Sequence, residues 1–161
     1  QLATPCRLNS WGRVPSVRDW VNVSGVSGLS NKYESLVGEA NELGKCTFSF
    51  CELLYCHGGY FVVDNPAPTW LWMRKDAMEL ASRTGVAFAI YMANDFGAMF
   101  WKLAALFHNM PTMHNISLPA LEVERMVTLR GKVWFMGQWV FRTAFAATYP
   151  PLFAYNLATH W

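Results

Sequence analysis

From Lys32 to His57 the positions Leu36, Val37, Ala40, Leu43, Thr47, Phe50 and Leu54 recur at intervals of three and four, the spacing of one helical face. Gly58-Gly59 follows as a helix stop. Tyr60-Phe61-Val62-Val63 is then a near-continuous apolar run with β-branched residues, which predicts a short strand covered on both faces. Pro66 and Pro68 close it. Trp70 to Arg83 returns to helical spacing, with Leu71, Ala77, Met78 and Leu80 inward and Arg74, Lys75, Asp76 and Glu79 outward. Thr84-Gly85 stops that helix. Val86 to Met92 reads as a second apolar strand, Asn94 to Gly97 as a turn, and Leu103 to Phe107 as a third strand. Ser10 to Asn31, broken by Pro15, Gly25 and Gly28, reads as an irregular loop, and Thr112 to Pro119 as another. Arg125 to Val133 has no clear period. Phe141 to Trp161 reads mainly as a helix entered or bent at Pro150-Pro151.

Strands alternating with helices predict the α/β class, with βαβ units and a parallel sheet, in a single domain over residues 1–161. Ligands of open α/β sheets sit beyond the carboxyl ends of the strands. Asp64-Asn65-Pro66 stands at such an end, where the pattern predicts that the chain leaves its core. An acid, an amide and a proline there read either as a tight turn, since all three are turn formers, or as part of a site.

Composition narrows the class. The chain is 53% hydrophobic and 16% aromatic, with only 15% charged residues, so ample apolar surface is present for a core and disorder is not expected. A net charge of +2 is too small to argue for nucleic acid by itself. A membrane-spanning helix needs about 20 predominantly apolar residues. Gly85 to Trp101 is interrupted by Asn94, Asp95 and Gly97, and Thr143 to Trp161 is uncharged but holds two prolines. A small hydrophobic subunit of a membrane complex therefore stands as the alternative reading. No basic n-region with an apolar h-region follows Gln1, so no signal peptide is expected, and the sequence reads as cut from something longer. Asn22-Val23-Ser24 and Asn115-Ile116-Ser117 fit the glycosylation acceptor pattern, which carries meaning only in a secretory context.

Cys46, Cys51 and Cys56 are spaced five apart, and five helical residues advance the position by about 140° beyond a full turn, so they share no face. Neither they nor His57, His108, His114 and His160 show metal spacing. No metal is expected, and those three cysteines read as buried free thiols of a reducing compartment. Cys6 is set apart by its neighbours in Thr4-Pro5-Cys6.

These residues carry a resemblance. Thr4-Pro5-Cys6, then "GYFVVDNPAPTWLW" (Gly59 to Trp72), "FAIYMANDFGAMFWKLAALFHN" (Phe88 to Asn109) and "TAFAATYPPLFAYNLA" (Thr143 to Ala158) stand in the order found in the catalytic half of C5-cytosine DNA methyltransferases, in a divergent form. Each motif is weak alone, and their order over nearly the whole chain carries the likeness. The resemblance implies a partial Rossmann-like methyltransferase sheet with flanking helices. It makes Cys6 the nucleophile that adds to cytosine C6. Asp64 becomes the group that shares a proton with N3, and Asn65 orients its loop. It assigns Pro66, Tyr149 and Pro150 to the S-adenosylmethionine pocket, and Arg7, Lys102 and Arg130 to DNA phosphates. The partners it implies are DNA and a segment or protein that supplies the rest of the domain and covers apolar surface. Its location would be intracellular, nuclear if DNA is the target.

The departures are specific. The acid is Asp64 where the family carries Glu, one methylene shorter, and a shift of about 1 Å at a catalytic contact costs about 10²-fold. The Lys-Pro-Thr of the family has become Lys102-Leu103-Ala104. The glycine-rich strand and turn that bind the cofactor do not occur in this sequence. A domain of this kind is expected to be degenerate, or inactive on its own. An ordinary loop cysteine at position 6, a plain turn at Asp64 to Pro66 and a helix entry at Tyr149-Pro150 remain the alternatives.

Overall fold

Helix α1 (Asn31–Cys56) follows a stretch from Ser16 to Ser30 without regular structure. A computed structural model describes residues 2–3, 16–98, 100–116, 131–142, 144 and 149–159. Two compact units divide the chain, Gln1–Ala89 with Ala105–His114, and Ile90–Ala104 with Asn115–Trp161.

In the first unit α1 buries Val37, Ala40, Gly44, Phe48 and Cys51. The helix matches its predicted span, but the inward stripe is rotated from the predicted one. Leu43 and Phe50 are half exposed. Gly44 explains part of the rotation. A Cβ at that position would stand 3.1 Å from the Arg74 guanidinium, so the missing side chain gives Arg74 its place against the helix. The C-terminus closes as expected. Gly58 adopts φ +70°, its N–H donates to Tyr55 O at 3.1 Å, and the Gly59 N–H donates to Leu54 O at 2.8 Å. Those bonds help satisfy the last helix carbonyls, with Leu54 O shared between the Gly59 and His57 N–H groups.

The strands are β1 (Leu2–Ala3), β2 (Val62–Pro66), β3 (Ala87–Met92) and β4 (Leu103–His108), in the sheet order β1-β2-β4-β3. β1 and β2 are parallel, with Leu2 opposite Val63 and Ala3 opposite Asp64. β4 runs the other way. Asn109, just past its end, bonds Phe61, just before the start of β2. The expected parallel sheet is therefore corrected to a mixed one. The reason is connection length: only ten residues separate Met92 from Leu103. A parallel crossover needs about a dozen or more. The short link makes the 3₁₀ turn Ala93–Phe96, closed by Gly97 at φ +82°, and the chain returns antiparallel. A mixed α/β architecture is what these residues form.

Helix α2 (Lys75–Ala81) and a 3₁₀ turn (Trp70–Met73) replace the single predicted helix over Trp70 to Arg83. Arg74, at ψ 145°, separates them. Ala77 and Leu80 face inward as expected, whereas Met78 is exposed. The core of this unit joins Phe48, Cys51, Phe61, Val63, Leu71, Ala77, Leu80 and Phe107. Phe107 is its centre, with ring centroids 4.8 Å from Phe88, 5.6 Å from Phe61 and 6.0 Å from both Phe48 and Trp72.

The second unit packs around Phe153 of helix α3 (Pro151–Thr159). Its ring stacks on Tyr91 at 4.5 Å and on Tyr149 at 5.3 Å, and meets Phe96 edge-on at 5.1 Å. The proline step opens this helix, as Pro in a first turn does. A hairpin precedes it, β5 (Lys132–Phe135) with β6 (Gln138–Phe141). Its two-residue turn is Met136-Gly137, with φ 48° and 81°, the positive pair that a tight hairpin demands. The hairpin corrects the reading of this region, where no strands were expected. Phe141 is the end of a strand, not the beginning of a helix. Among the described residues no helix is long and apolar enough to cross a membrane.

Candidate active site

Val62 and Val63 are wholly buried, and the strand they begin continues through Asp64, Asn65 and Pro66. This corrects the expectation that the chain leaves its core at Asp64. Pairing of Ala3 with Asp64 extends the ladder by one position beyond the apolar run. Asp64 and Asn65 are only 6% and 2% exposed, so they form the inner wall of the strand end rather than an open tip. The turn itself lies further on, at Ala67 to Thr69.

That turn is held by its own side chains. The Trp72 indole N–H donates to Pro66 O at 3.2 Å. The Thr69 N–H donates to Ala67 O at 3.1 Å, and Thr69 Oγ1 accepts from the Leu71 N–H at 3.4 Å, capping the 3₁₀ turn. Trp70 and Leu71 are buried beneath it. At the other end of β2 the Asn109 side chain replaces a ladder rung. Its Nδ2 donates to Gly59 O at 2.8 Å, and its Oδ1 accepts from the Phe61 N–H at 2.8 Å. β2 is thus pinned at both ends, and Asp64 and Asn65 inherit that rigidity.

The structure brings Asp64, Asn65 and Pro66 together in the first unit. Cys6, Arg7 and Arg130 lie outside the described residues. Lys102, Tyr149 and Pro150 belong to the second unit. There Lys102 O accepts from the Ala93 N–H at 2.9 Å and closes the β3–β4 turn. Tyr149 is stacked on Phe153, and Pro150 O accepts from the Ala154 N–H at 3.1 Å, the first turn of α3. The Pro66 carbonyl accepts from Trp72 and the Pro150 carbonyl starts α3.

Sequence reasoning missed a second feature of the first unit. A cleft of about 720 Å³ is lined by Val21 to Gly25, Lys45, Ser49, Arg74, Lys75, Asp76 and Glu79. Arg74, expected to point outward, forms a bidentate pair with Asp76 at 2.7 and 3.0 Å. Beside it Arg18 is buried, with Nη1 donating to Val23 O and to Asn41 Oδ1, the latter at 2.8 Å. Burial, and then the Arg74 charge, push the Arg18 guanidinium down to about 10, so it stays protonated at neutral pH. Lys75 pairs with Glu79 at 3.6 Å. A glycine in the middle of the buried stripe of α1, Gly44, was the available signal that a large side chain packs there.

Cys51 is buried as expected, whereas Cys46 and Cys56 are exposed. Desolvation pushes the Cys51 thiol up from 9.0 to about 12. In the unfolded chain it ionises first, so its contribution to stability is complete below pH 9 and lost as pH rises from 9 to 12. Unfolding titrations should show this decline, and Cys51→Ala should flatten it. At pH 8 a thiol reagent should label Cys46 and Cys56 promptly and leave Cys51 unreacted until the chain unfolds. Fast labelling of Cys51 in the folded protein would contradict the packing described. Among the described residues no group of His, Cys, Asp and Glu is placed to hold a metal ion.

Comparisons with protein-family models, with curated proteins and with solved structures return no match.

Proposed function

We propose that this chain is a degenerate C5-cytosine methyltransferase-like half domain that adds reversibly to cytosine in DNA and does not complete methyl transfer on its own. The sheet is read as part of a Rossmann-like methyltransferase sheet. The observation that carries the proposal is the β1–β2 register, which sets Ala3 directly opposite Asp64 at the carboxyl end of two parallel strands. Cys6 follows Ala3 by three residues, a covalent reach of at most about 11 Å. A thiol tethered three residues beyond one strand end, with a carboxyl group on the next strand, matches the demands of addition across the cytosine ring.

In the proposed reaction the Cys6 thiolate bonds to C6. The C5–C6 π pair shifts toward C4, and N3 takes the proton of Asp64. C5 is now an enamine carbon. It accepts a proton from solvent and gives one up, N3 returns its proton to Asp64, and the Sγ–C6 bond breaks. The net result is exchange of the C5 hydrogen with solvent. No step of this exchange passes through S-adenosylmethionine. Asn65, buried beside Asp64, holds the strand end that carries the carboxyl group. Arg7, Lys102 and Arg130 are the proposed phosphate contacts.

The test is C5 deuterium incorporation into a cytosine-containing duplex in D₂O, followed by NMR or mass spectrometry without added cofactor. Exchange above background is expected for the native chain. Cys6→Ser should abolish it, and Asp64→Asn should slow it about 10²-fold, the size of one positioned acid-base contribution. No exchange with native protein, or exchange that survives Cys6→Ser, sinks the proposal.

A further inference from the structure

The geometry points to the outer face of the β5–β6 hairpin as a platform for single-stranded nucleic acid. Lys132 is paired with Phe141 and Trp134 with Trp139, two positions apart on the ladder, so all four side chains stand on one face. Trp134, Trp139 and Phe141 are 58%, 66% and 61% exposed. On the opposite face Val133 and Val140 are half-buried and the turn-end pair Phe135 and Gln138 is exposed, so the Trp134–Trp139 face is the more open of the two.

Three large rings left open to water within so small an area call for an explanation, because exposure of that much apolar surface is unfavourable. The two indoles meet edge to face at 5.5 Å, and the Lys132 ammonium lies 4.7 Å from the Phe141 ring centre. From Gly131 to Arg142 the sequence holds two basic residues and no acidic one. Aromatic faces with charge of a single, positive sign match a ligand that is both planar and anionic. Stacked bases on a phosphate backbone have that chemistry, and stacking serves any base because each has a π face. A duplex buries its base faces and offers only grooves and phosphates.

The area argues against a second copy of the chain as occupant. Four residues of strand and two strands make a face of about 14 by 10 Å. That is several-fold below the roughly 800 Å² per partner of a stable protein interface, and it suits two or three nucleotides. The hairpin has the rigidity a platform needs, since its turn carries positive φ at both Met136 and Gly137 and fixes the register. The inference uses no residue assigned to cytosine chemistry and stands whether or not that reading does.

The probe is a fluorescein-labelled 12-nucleotide oligothymidylate, which contains no cytosine, titrated with the full chain and read by anisotropy between 50 and 200 mM salt. Trp134→Val and Trp139→Val keep strand propensity and remove the rings. Each is expected to weaken binding about tenfold, and Trp139→Phe to recover most of the loss. Lys132→Glu should weaken binding and flatten its salt dependence. A duplex of equal length should bind at least about tenfold less tightly. Circular dichroism confirms that each variant keeps its fold. The inference is overturned by no binding, by equal affinity for duplex, or by an affinity that the double valine variant leaves unchanged. Dimerisation seen in light scattering, abolished by the same double variant, would assign the face to a second copy and equally overturn it.

Discussion

Phe107→Ala is expected to destabilise the first unit by about 3–5 kcal/mol, the range for removing a large ring from a close-packed core. Phe107 is fully buried on the central strand β4 and touches four other aromatic rings. Those rings come from α1, the residue before β2, the 3₁₀ turn and β3, so no single element can move to fill the void. Ring pairs of this kind contribute beyond their buried area, by about 0.5–1.5 kcal/mol each. Since whole domains are stable by only about 5–15 kcal/mol, the variant should sit near the edge of folding. Urea unfolding is the measurement, with the midpoint falling and the slope unchanged. Tyr155→Ala, on the exposed side of α3, serves as the control and should stay within about 0.5 kcal/mol of the native chain. A loss below about 1 kcal/mol for Phe107→Ala would show that the rings do not share one packed core.

Asn109→Ala should cost about 2–4 kcal/mol, from two lost hydrogen bonds and a partly buried amide left without its acceptor. The side chain bridges Gly59 O and the Phe61 N–H across the junction of β4 with β2. Asn109→Asp keeps the acceptor for the Phe61 N–H but sets a carboxylate against the Gly59 carbonyl, so recovery should be partial. Hydrogen exchange gives the specific readout. The Phe61 amide should lose its protection in Asn109→Ala, before amides in the middle of α1 do. A Phe61 amide that stays protected would mean that the strand start is held by packing alone. Because β2 carries Asp64 and Asn65, the same variant should also slow any C5 hydrogen exchange without touching the reacting groups.

Much of the element order was legible because it depends on local patterns. The span of α1 follows from apolar spacing and from Gly58, which adopts the left-handed conformation that a helix stop favours. β4 was visible as an apolar run because a central strand is covered on both faces. The hairpin was missed although Met136-Gly137 stood between alternating residues. Three of the four positions on its open face are aromatic rather than polar, and Phe135 on the other face is aromatic as well, so the expected in-and-out alternation was hidden. Asp64 and Asn65 were singled out correctly as belonging to the end of β2, but their burial was not legible. An acid and an amide read as solvent-facing until a neighbouring strand is known to lie against them.

The sequence by itself determined the spans of α1, β3 and β4, where glycine and proline interrupt them, and which residues could carry chemistry. Only the tertiary structure decided that β4 returns antiparallel between β2 and β3, that Arg74 lies over Gly44, and that Ala3 is paired with Asp64. Backbone preference and apolar spacing act over a few residues and are written in neighbouring positions. Strand partners and buried charge pairs join residues that are tens of positions apart, and they are set by how the whole chain closes around its aromatic core.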